Sequence, residues 1–128
     1  MQHARNPDAV HPPLGQYSHQ VEVTGSPRWL AIAGQLGRTA GGDVPSDPIE
    51  QLSLALENIR HNLEAAGMTV SDIVKVNWYL VGDIDGAARR QVTEAWLGGH
   101  RPASTLVYVA RLALPEYRVE VEAWACKV

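Results

Sequence analysis

The fold is decided by the stretch DPIEQLSLALENIRHNLEAAG (Asp47–Gly67), which carries the signals of one amphipathic helix. Asp47 is a candidate N-cap, Pro48 falls at the first helical position, and Glu50 completes a capping box. Gly67 is suited to end the helix in a left-handed conformation. Apolar residues recur at steps of three and four and form one stripe: Ile49, Leu52, Leu56, Ile59, Leu63 and Ala66. Because only one side of this helix is apolar, we expect it to pack on a β-sheet.

The segments around this helix predict five strands and a second, shorter helix. The run VKVNWYLV is β-branched and aromatic with no breaker, which is typical of a central strand. We predict strands at His19–Val23, Trp29–Ala33, Val74–Val81, Thr105–Ala110 and Arg118–Cys126, and a helix at Ala87–Leu97. The first two strands are expected to pair as a hairpin. The order β-β-α-β-α-β-β predicts an α+β domain with both helices on one face of a mixed sheet.

Length predicts a single domain over residues 1–128, with residues 1–13 as an extended N-terminal arm. Two helices cover only one face of a five-stranded sheet. We place Tyr79, Tyr108, Trp124 and Cys126 on the other face. A bare face of this composition predicts association of copies with closed symmetry. The alternative is that these residues only edge the core.

Composition excludes several classes of function. The net charge is −3 and no Lys/Arg cluster occurs, so nucleic-acid binding is not expected. The apolar runs are too short for a membrane span, and the N-terminus lacks the apolar core of a signal peptide. A single cysteine, Cys126, suits a reducing cytoplasm. The five histidines lack metal-ligand spacing, so no metal is expected.

A few polar residues could carry chemistry. Glu120 and Glu122 lie two apart on one strand and share a face, so one could act as acid and the other as base. The alternative is a solvated strand edge with Arg118 as counter-ion. The hydroxyls of Ser104 and Thr105 have no activating base in the sequence, and they suit hydrogen bonding to a ligand carboxylate better than nucleophilic attack.

Several short motifs occur in a characteristic order between Leu14 and Ala125. They are GQYSHQV (Gly15–Val21), AGQ (Ala33–Gln35), Gln51 with Glu57-Asn58-Ile59, AAGM (Ala65–Met68), DIVKVNWYL (Asp72–Leu80), PAST (Pro102–Thr105) and VEVEAWA (Val119–Ala125). In this order and spacing the chain resembles the reactive intermediate deaminase (Rid, RidA/YjgF-like) family. The resemblance implies a chorismate-mutase-like fold and a homotrimer with three clefts between subunits. It also implies hydrolysis of small enamines and imines to 2-keto acids and ammonia, with no cofactor or metal.

The resemblance also assigns roles to individual positions. It implies that Tyr17 is the arm tyrosine of the pocket and that Glu120 orients the attacking water. It places Gly34 and Gln35 in the pocket, where the family's SGQ motif has a serine at the position of Ala33.

One departure from the family pattern concerns substrate binding. The family's PARS motif supplies an arginine that binds the substrate carboxylate, and this position is Ser104, followed by Thr105. This places the chain in an arginine-less divergent branch. A neutral hydroxyl pair cannot match the two charge-assisted hydrogen bonds of a guanidinium. Arg101 and Arg111 are the nearby arginines that could reach the cleft.

Three functions are therefore considered. The first is a cofactor-independent imine or enamine hydrolase with an altered substrate, using Glu120 and Tyr17. The second is a non-enzymatic trimer that binds a metabolite or regulates another protein. The third, action on RNA, is opposed by the acidic charge balance.

Overall fold

The computed structural model describes all 128 residues. It contains two helices, six strands and a 3-10 turn at Val70–Asp72. The strands are β1 (Gln2–Arg5), β2 (Gln20–Val23), β3 (Arg28–Leu36), β4 (Ile73–Leu80), β5 (Ala103–Tyr108) and β6 (Val119–Lys127), and the helices are α1 (Pro48–Ala65) and α2 (Gly86–Leu97). The predicted α+β order is confirmed, with one strand added in the N-terminal arm. Neither helix is long and apolar enough to cross a membrane.

Four strands form a mixed sheet in the order β3-β6-β4-β5. β6 runs antiparallel to both of its neighbours, whereas β4 and β5 are parallel. The expected hairpin of the first two predicted strands is wrong, because β2 pairs with β1 instead and forms a separate two-stranded sheet. The backbone groups of β2 are satisfied by the arm, whose residues Gln2–Arg5 form the extended strand β1.

Helix α1 begins and ends where its sequence signals predict. The Asp47 carboxylate accepts a hydrogen bond of 3.0 Å from the amide of Ile49, and Gly67 adopts a φ of 71° just past the helix. Leu52, Leu56, Ile59 and Leu63 of the apolar stripe are buried against the sheet with Val76 and Trp78 of β4. Ala66 is partly buried there, and Ile49 at the start of the helix lies outside this core. Both helices therefore cover one face, and we call the opposite face the outer face.

Buried Gln51 of α1 ties two loops to the core. Its Nε2 donates to the carbonyls of Pro45 and Glu116 at 2.8 and 2.9 Å, and its Oε1 accepts from the Arg118 amide at 2.8 Å. Gln51 is fully buried, and these three bonds satisfy groups that water cannot reach. They fix the segment that leads into β6, which carries Glu120 and Glu122.

The outer face differs in part from the expected one. Tyr79 and Trp124 lie on it, with Trp124 48% exposed and Trp29 of β3 52% exposed. The expected position of Tyr108 on the outer face is wrong. Tyr108 is in register with Leu80, and by the alternation of side chains along a strand both lie on the helix face. Cys126 is on the outer face but buried, since the Gln2 side chain of β1 lies 3.5 Å from its Sγ atom.

Candidate functional site

A cavity of about 340 Å³ lies between the N-terminal arm, helix α2 and the strands β4 and β5. Tyr17 and Ser104 both line it, so two residues distant in sequence come together. The Ser104 hydroxyl accepts a hydrogen bond of 2.8 Å from the indole Nε1 of Trp78, which orients it. The Tyr17 hydroxyl accepts from the Leu14 amide at 3.2 Å. We call this space the Ser104 cavity.

The arm reaches this cavity because one serine anchors it to β5. Buried Ser18 donates its hydroxyl to the Arg101 carbonyl at 2.7 Å and its amide to the Pro102 carbonyl at 3.1 Å. An isolated bridge to Ala103 extends this contact. Tyr17, the residue before the anchor, is thereby held beside the start of β5.

A second group of predicted residues lies on the outer face, around Glu120. Glu120 faces a bulge in β3, where the register with β6 shifts between Ile32 and Gln35. Gly34 is in this bulge, and the Glu120 carboxyl packs directly on its backbone. The Gln35 amide donates to the Ala33 carbonyl at 2.9 Å, within the same bulge. The structure therefore brings Gly34 and Glu120 together. Gln35 is not part of this group, because it is in register with Val121, whose side chain is buried on the helix face.

Glu120 and Glu122 share the outer face, as their spacing predicts, but their surroundings differ. Oε1 of Glu122 accepts hydrogen bonds from the Tyr79 hydroxyl at 2.5 Å and from the Asn77 amide at 3.0 Å. Glu120 has no hydrogen-bond or ion-pair partner from a side chain. Burial first, and then the neighbouring Glu122 carboxylate, raise the pKa of Glu120 above its usual range. One carboxylate is thus fixed by its partners, and the other is free to exchange a proton.

The prediction that Arg118 is the counter-ion of these glutamates is wrong. Arg118 donates from Nε to the Val81 carbonyl at 3.0 Å and from Nη2 to the Asp83 carbonyl at 2.8 Å. Its guanidinium therefore stabilises the turn after β4 instead of pairing with a carboxylate. The interpretation of Glu120 as part of a solvated, charge-compensated edge loses its support.

Neither nearby arginine supplies the missing guanidinium within one protomer. Arg101 donates to the carbonyls of Gly98 and His100 at 2.9 and 3.0 Å, and it lines a different cavity, of about 540 Å³, beside the arm. That larger cavity contains no other predicted site residue. Arg111 is exposed and does not line the Ser104 cavity.

Apart from Arg101 and Gln35, the predicted site residues therefore form two groups on opposite faces of one sheet. Ser104 is in register with Val76 on the helix face, whereas Tyr79 is in register with Glu120 on the outer face. Thr105 also lies on the outer face, where its hydroxyl accepts a hydrogen bond of 2.7 Å from Lys75 Nζ. Within a single protomer, a small ligand in the Ser104 cavity cannot contact Glu120.

Two further arginines, both in α2, also line the Ser104 cavity. They are Arg89 and Arg90, in the first turns of the helix. No motif marks them, because two arginines on a short amphipathic helix are typical of a solvated surface. Only the packing of α2 beside β5 brings them to the same cavity as Ser104.

A concave cavity with a few polar groups, walled by a helix and a sheet edge, is typical of an α+β protein that binds small molecules. The comparison with known families then identifies the class. The chain belongs to the family described as endoribonuclease L-PSP, whose model matches residues 8–127. This is the Rid/YjgF family, and the resemblance in motif order is confirmed.

Individual relatives agree with this family. The mouse protein named 2-iminobutanoate/2-iminopropanoate deaminase is 34% identical over 115 residues, which cover 88% of this chain and 82% of that protein. A solved structure from Yersinia pestis, of a protein of unknown function in the conserved Rid family, has a TM-score of 0.87 at 32% identity and covers 98% of each chain. The structure of Escherichia coli TdcF with bound serine has a TM-score of 0.72 at 29% identity and covers 97% of this chain and 94% of that one.

Proposed function

We propose that the protein is a cofactor-independent hydrolase of small imines and enamines. The observation that carries the proposal is the Glu120 carboxyl, which is held on the Gly34 backbone with a raised pKa and no ionic partner. A carboxylate in such surroundings is a stronger base than one paired with an arginine. It is suited to accept a proton from a water molecule.

The reaction balances with this one base and the substrate itself. Water adds to the carbon of the C=N bond while the Glu120 carboxylate takes its proton. The resulting carbinolamine carries a hydroxyl and an amine on one carbon. Return of this proton to nitrogen completes the amine of the carbinolamine. Glu120 then takes the hydroxyl proton and passes it to nitrogen, so that the C–N bond breaks, ammonia leaves as the C=O bond forms, and Glu120 is again a carboxylate. An enamine first becomes the imine by moving a proton from nitrogen to carbon.

The substrate cleft is proposed to lie between two protomers. The sheet separates the Ser104 cavity from Glu120, so a cleft needs the cavity of one copy and Glu120 of the partner subunit. The exposed Trp29 and Trp124 on the outer face favour such an assembly, because apolar surface of this kind is normally covered. In a homotrimer with three equivalent clefts, the Ser104 cavity and the Glu120 carboxyl of every copy each take part in one cleft.

The comparisons support this substrate class. The mouse relative is named for 2-iminobutanoate and 2-iminopropanoate, and TdcF was crystallised with serine, a small amino acid. Imino, keto and amino acids of this size share a carboxylate beside the reacting carbon.

The direct test is ammonia release from imines generated in situ by an amino-acid oxidase, above the rate of spontaneous hydrolysis. Glu120→Gln is expected to reduce the rate by about 10²- to 10⁴-fold, because an amide cannot accept the proton of water. Glu57→Gln is the matched control, since Glu57 is on the far side of α1 and pairs with Arg60. Full activity of Glu120→Gln contradicts the mechanism.

A second candidate function is metabolite binding without catalysis, for regulation or for contact with another protein. The neutral Ser104 in place of the family's arginine favours it. It becomes the better interpretation if the native protein binds small acids but releases no ammonia from any imine.

A further inference from the structure

Arg89 projects from α2 toward the strand that carries Ser104. Arg89, Thr93 and Leu97 follow one another at steps of four and form one row along the helix. All three line the Ser104 cavity, and Leu97 is buried in it at the far end of the row. The Thr93 hydroxyl also donates to the Arg89 carbonyl, which joins two turns of this row. The base of the Arg89 side chain is therefore set by the packing of the helix.

The guanidinium of Arg89 has no acidic partner. Neither Arg89 nor Arg90 forms an ion pair, and Glu94 is the one acidic residue that lines the cavity. The Nε–H group of Arg89 is buried with no acceptor from the protein, and so is the Oε1 atom of Gln16 in the same cavity. Buried polar groups in proteins nearly always have partners, so these two are exceptions that need an explanation.

The hydroxyl of Ser104 adds a third group. Because its oxygen accepts from Trp78, its own proton is available to a ligand in the cavity. A cavity with two arginines, one glutamate and a free hydroxyl proton favours an anion. A planar carboxylate is the anion that a guanidinium fork binds best.

We propose that Arg89 binds the carboxylate of the ligand, with Ser104 as a second donor, in place of the arginine that is absent from position 104. This inference rests on the proposed function for the identity of the ligand, a small 2-oxo, 2-imino or 2-amino acid. The charge comes from helix α2 instead of strand β5. Gln16 is then positioned to accept a hydrogen bond from an N–H or O–H group of the same ligand.

The test uses the full-length protein and 2-oxobutanoate, the product expected from 2-iminobutanoate, with its neutral amide as the matched probe. Both are titrated by calorimetry against native protein, Arg89→Gln and Arg60→Gln. Arg60 is a control because it pairs with Glu57 and Glu64 on α1, away from the cavity. Circular dichroism and light scattering establish that each variant is folded and assembled.

Arg89→Gln is expected to weaken binding of 2-oxobutanoate by about 10- to 100-fold, as for the loss of a charge-assisted hydrogen bond. Arg89→Gln is expected to bind the amide with the affinity of native protein. Arg60→Gln is expected to bind both probes with native affinity. Equal affinity of native protein and Arg89→Gln for the acid overturns the proposal. So does an equal loss for acid and amide, because that result reflects cavity shape instead of charge, and so does the absence of binding to native protein.

Two further variants keep the test decisive. Arg89→Lys retains the charge but not the fork, so it is expected to bind the acid more weakly than native protein, and native affinity overturns the proposal. If Arg89→Gln does not fold, this variant replaces it. Ser104→Arg in the Arg89→Gln background is expected to restore acid binding from the strand side. Because these are binding measurements, they test Arg89 even if ammonia release fails and hydrolysis is abandoned.

Discussion

A Cβ atom on Gly34 would lie 2.2 Å from Oε1 of Glu120 and 2.9 Å from its Cγ. The carboxyl group therefore occupies the space that a side chain at position 34 would need. The bulge in β3 brings the backbone to this point, and the absence of a side chain leaves room for the glutamate. The position of the proposed base depends on this glycine as much as on the strand that carries it.

Gly34→Ala is predicted to displace the Glu120 carboxyl and to abolish most of the ammonia release. The atoms nearest to the new methyl group all belong to the flexible side chain of Glu120, so the fold is expected to survive with little change in Tm. Steady-state ammonia release and thermal denaturation of the same preparation measure the two effects. Native activity of this variant would show that the observed position of Glu120 is not needed.

Gly37→Ala provides the contrasting case. A Cβ atom there would lie 2.4 Å from the Cα atom of Gln51, so it collides with the backbone of α1. This substitution is predicted to lower the free energy of unfolding by about 1–3 kcal/mol or more, as for overpacking of a core. Chemical denaturation measures the loss, and equal stability of the two alanine variants would contradict this distinction.

The pH dependence of hydrolysis is predicted to report Glu120. Because burial and Glu122 raise the pKa of Glu120, activity should fall on the acid side at a higher pH than for an ordinary carboxylate, as the base becomes protonated. Glu122→Gln removes the neighbouring charge but keeps an oxygen that accepts from Tyr79 and Asn77. The acid limb should therefore move to lower pH, and an unmoved limb would exclude coupling between the two glutamates.

Ser104→Ala is predicted to lower the free energy of unfolding by about 1–2 kcal/mol, because the indole N–H of buried Trp78 loses its acceptor. Ser53→Ala, at an exposed position on α1, is the matched control and should cost little. Urea denaturation of both variants makes the comparison. Equal stability of Ser104→Ala and Ser53→Ala would mean that the Trp78 indole finds another hydrogen-bond acceptor.

Assembly is predicted to depend on the outer face. The native protein should have a mass of about 42 kDa in light scattering, three times the 14.0 kDa of one chain. Trp124→Glu should dissociate or unfold it by placing an unpaired charge in the interface. Val10→Glu, at an exposed apolar residue of the arm, should leave the mass unchanged. A monomer at micromolar concentration would reject the trimer.

The elements with strong local signals could be predicted from the sequence. Helix α1 has its cap, its stripe and its terminal glycine, and β4 is continuous and β-branched. β1 cannot be predicted locally, because the sequence QHAR has no apolar alternation and becomes a strand only by pairing with β2. The prediction for Tyr108 is wrong because its face depends on the register of β5 with β4, which no local pattern gives.

The candidate site shows the same division. Motifs mark Tyr17, Ser104 and Glu120 in the sequence, but the separation of Glu120 from the other two by the sheet follows from the strand order. Arg89 carries no motif. Its proximity to Ser104 arises from the packing of a helix beside a strand, so it requires three-dimensional structure.

The separation of Ser104 and Glu120 by the sheet has a genetic consequence if the clefts lie between copies. Each chain then contributes one half of two different clefts. A chain disabled at Arg89 still supplies an intact Glu120, and a chain disabled at Glu120 still supplies an intact Arg89. Co-assembly of these two inactive proteins should regenerate some complete clefts, so the two defects should complement each other within one mixed oligomer.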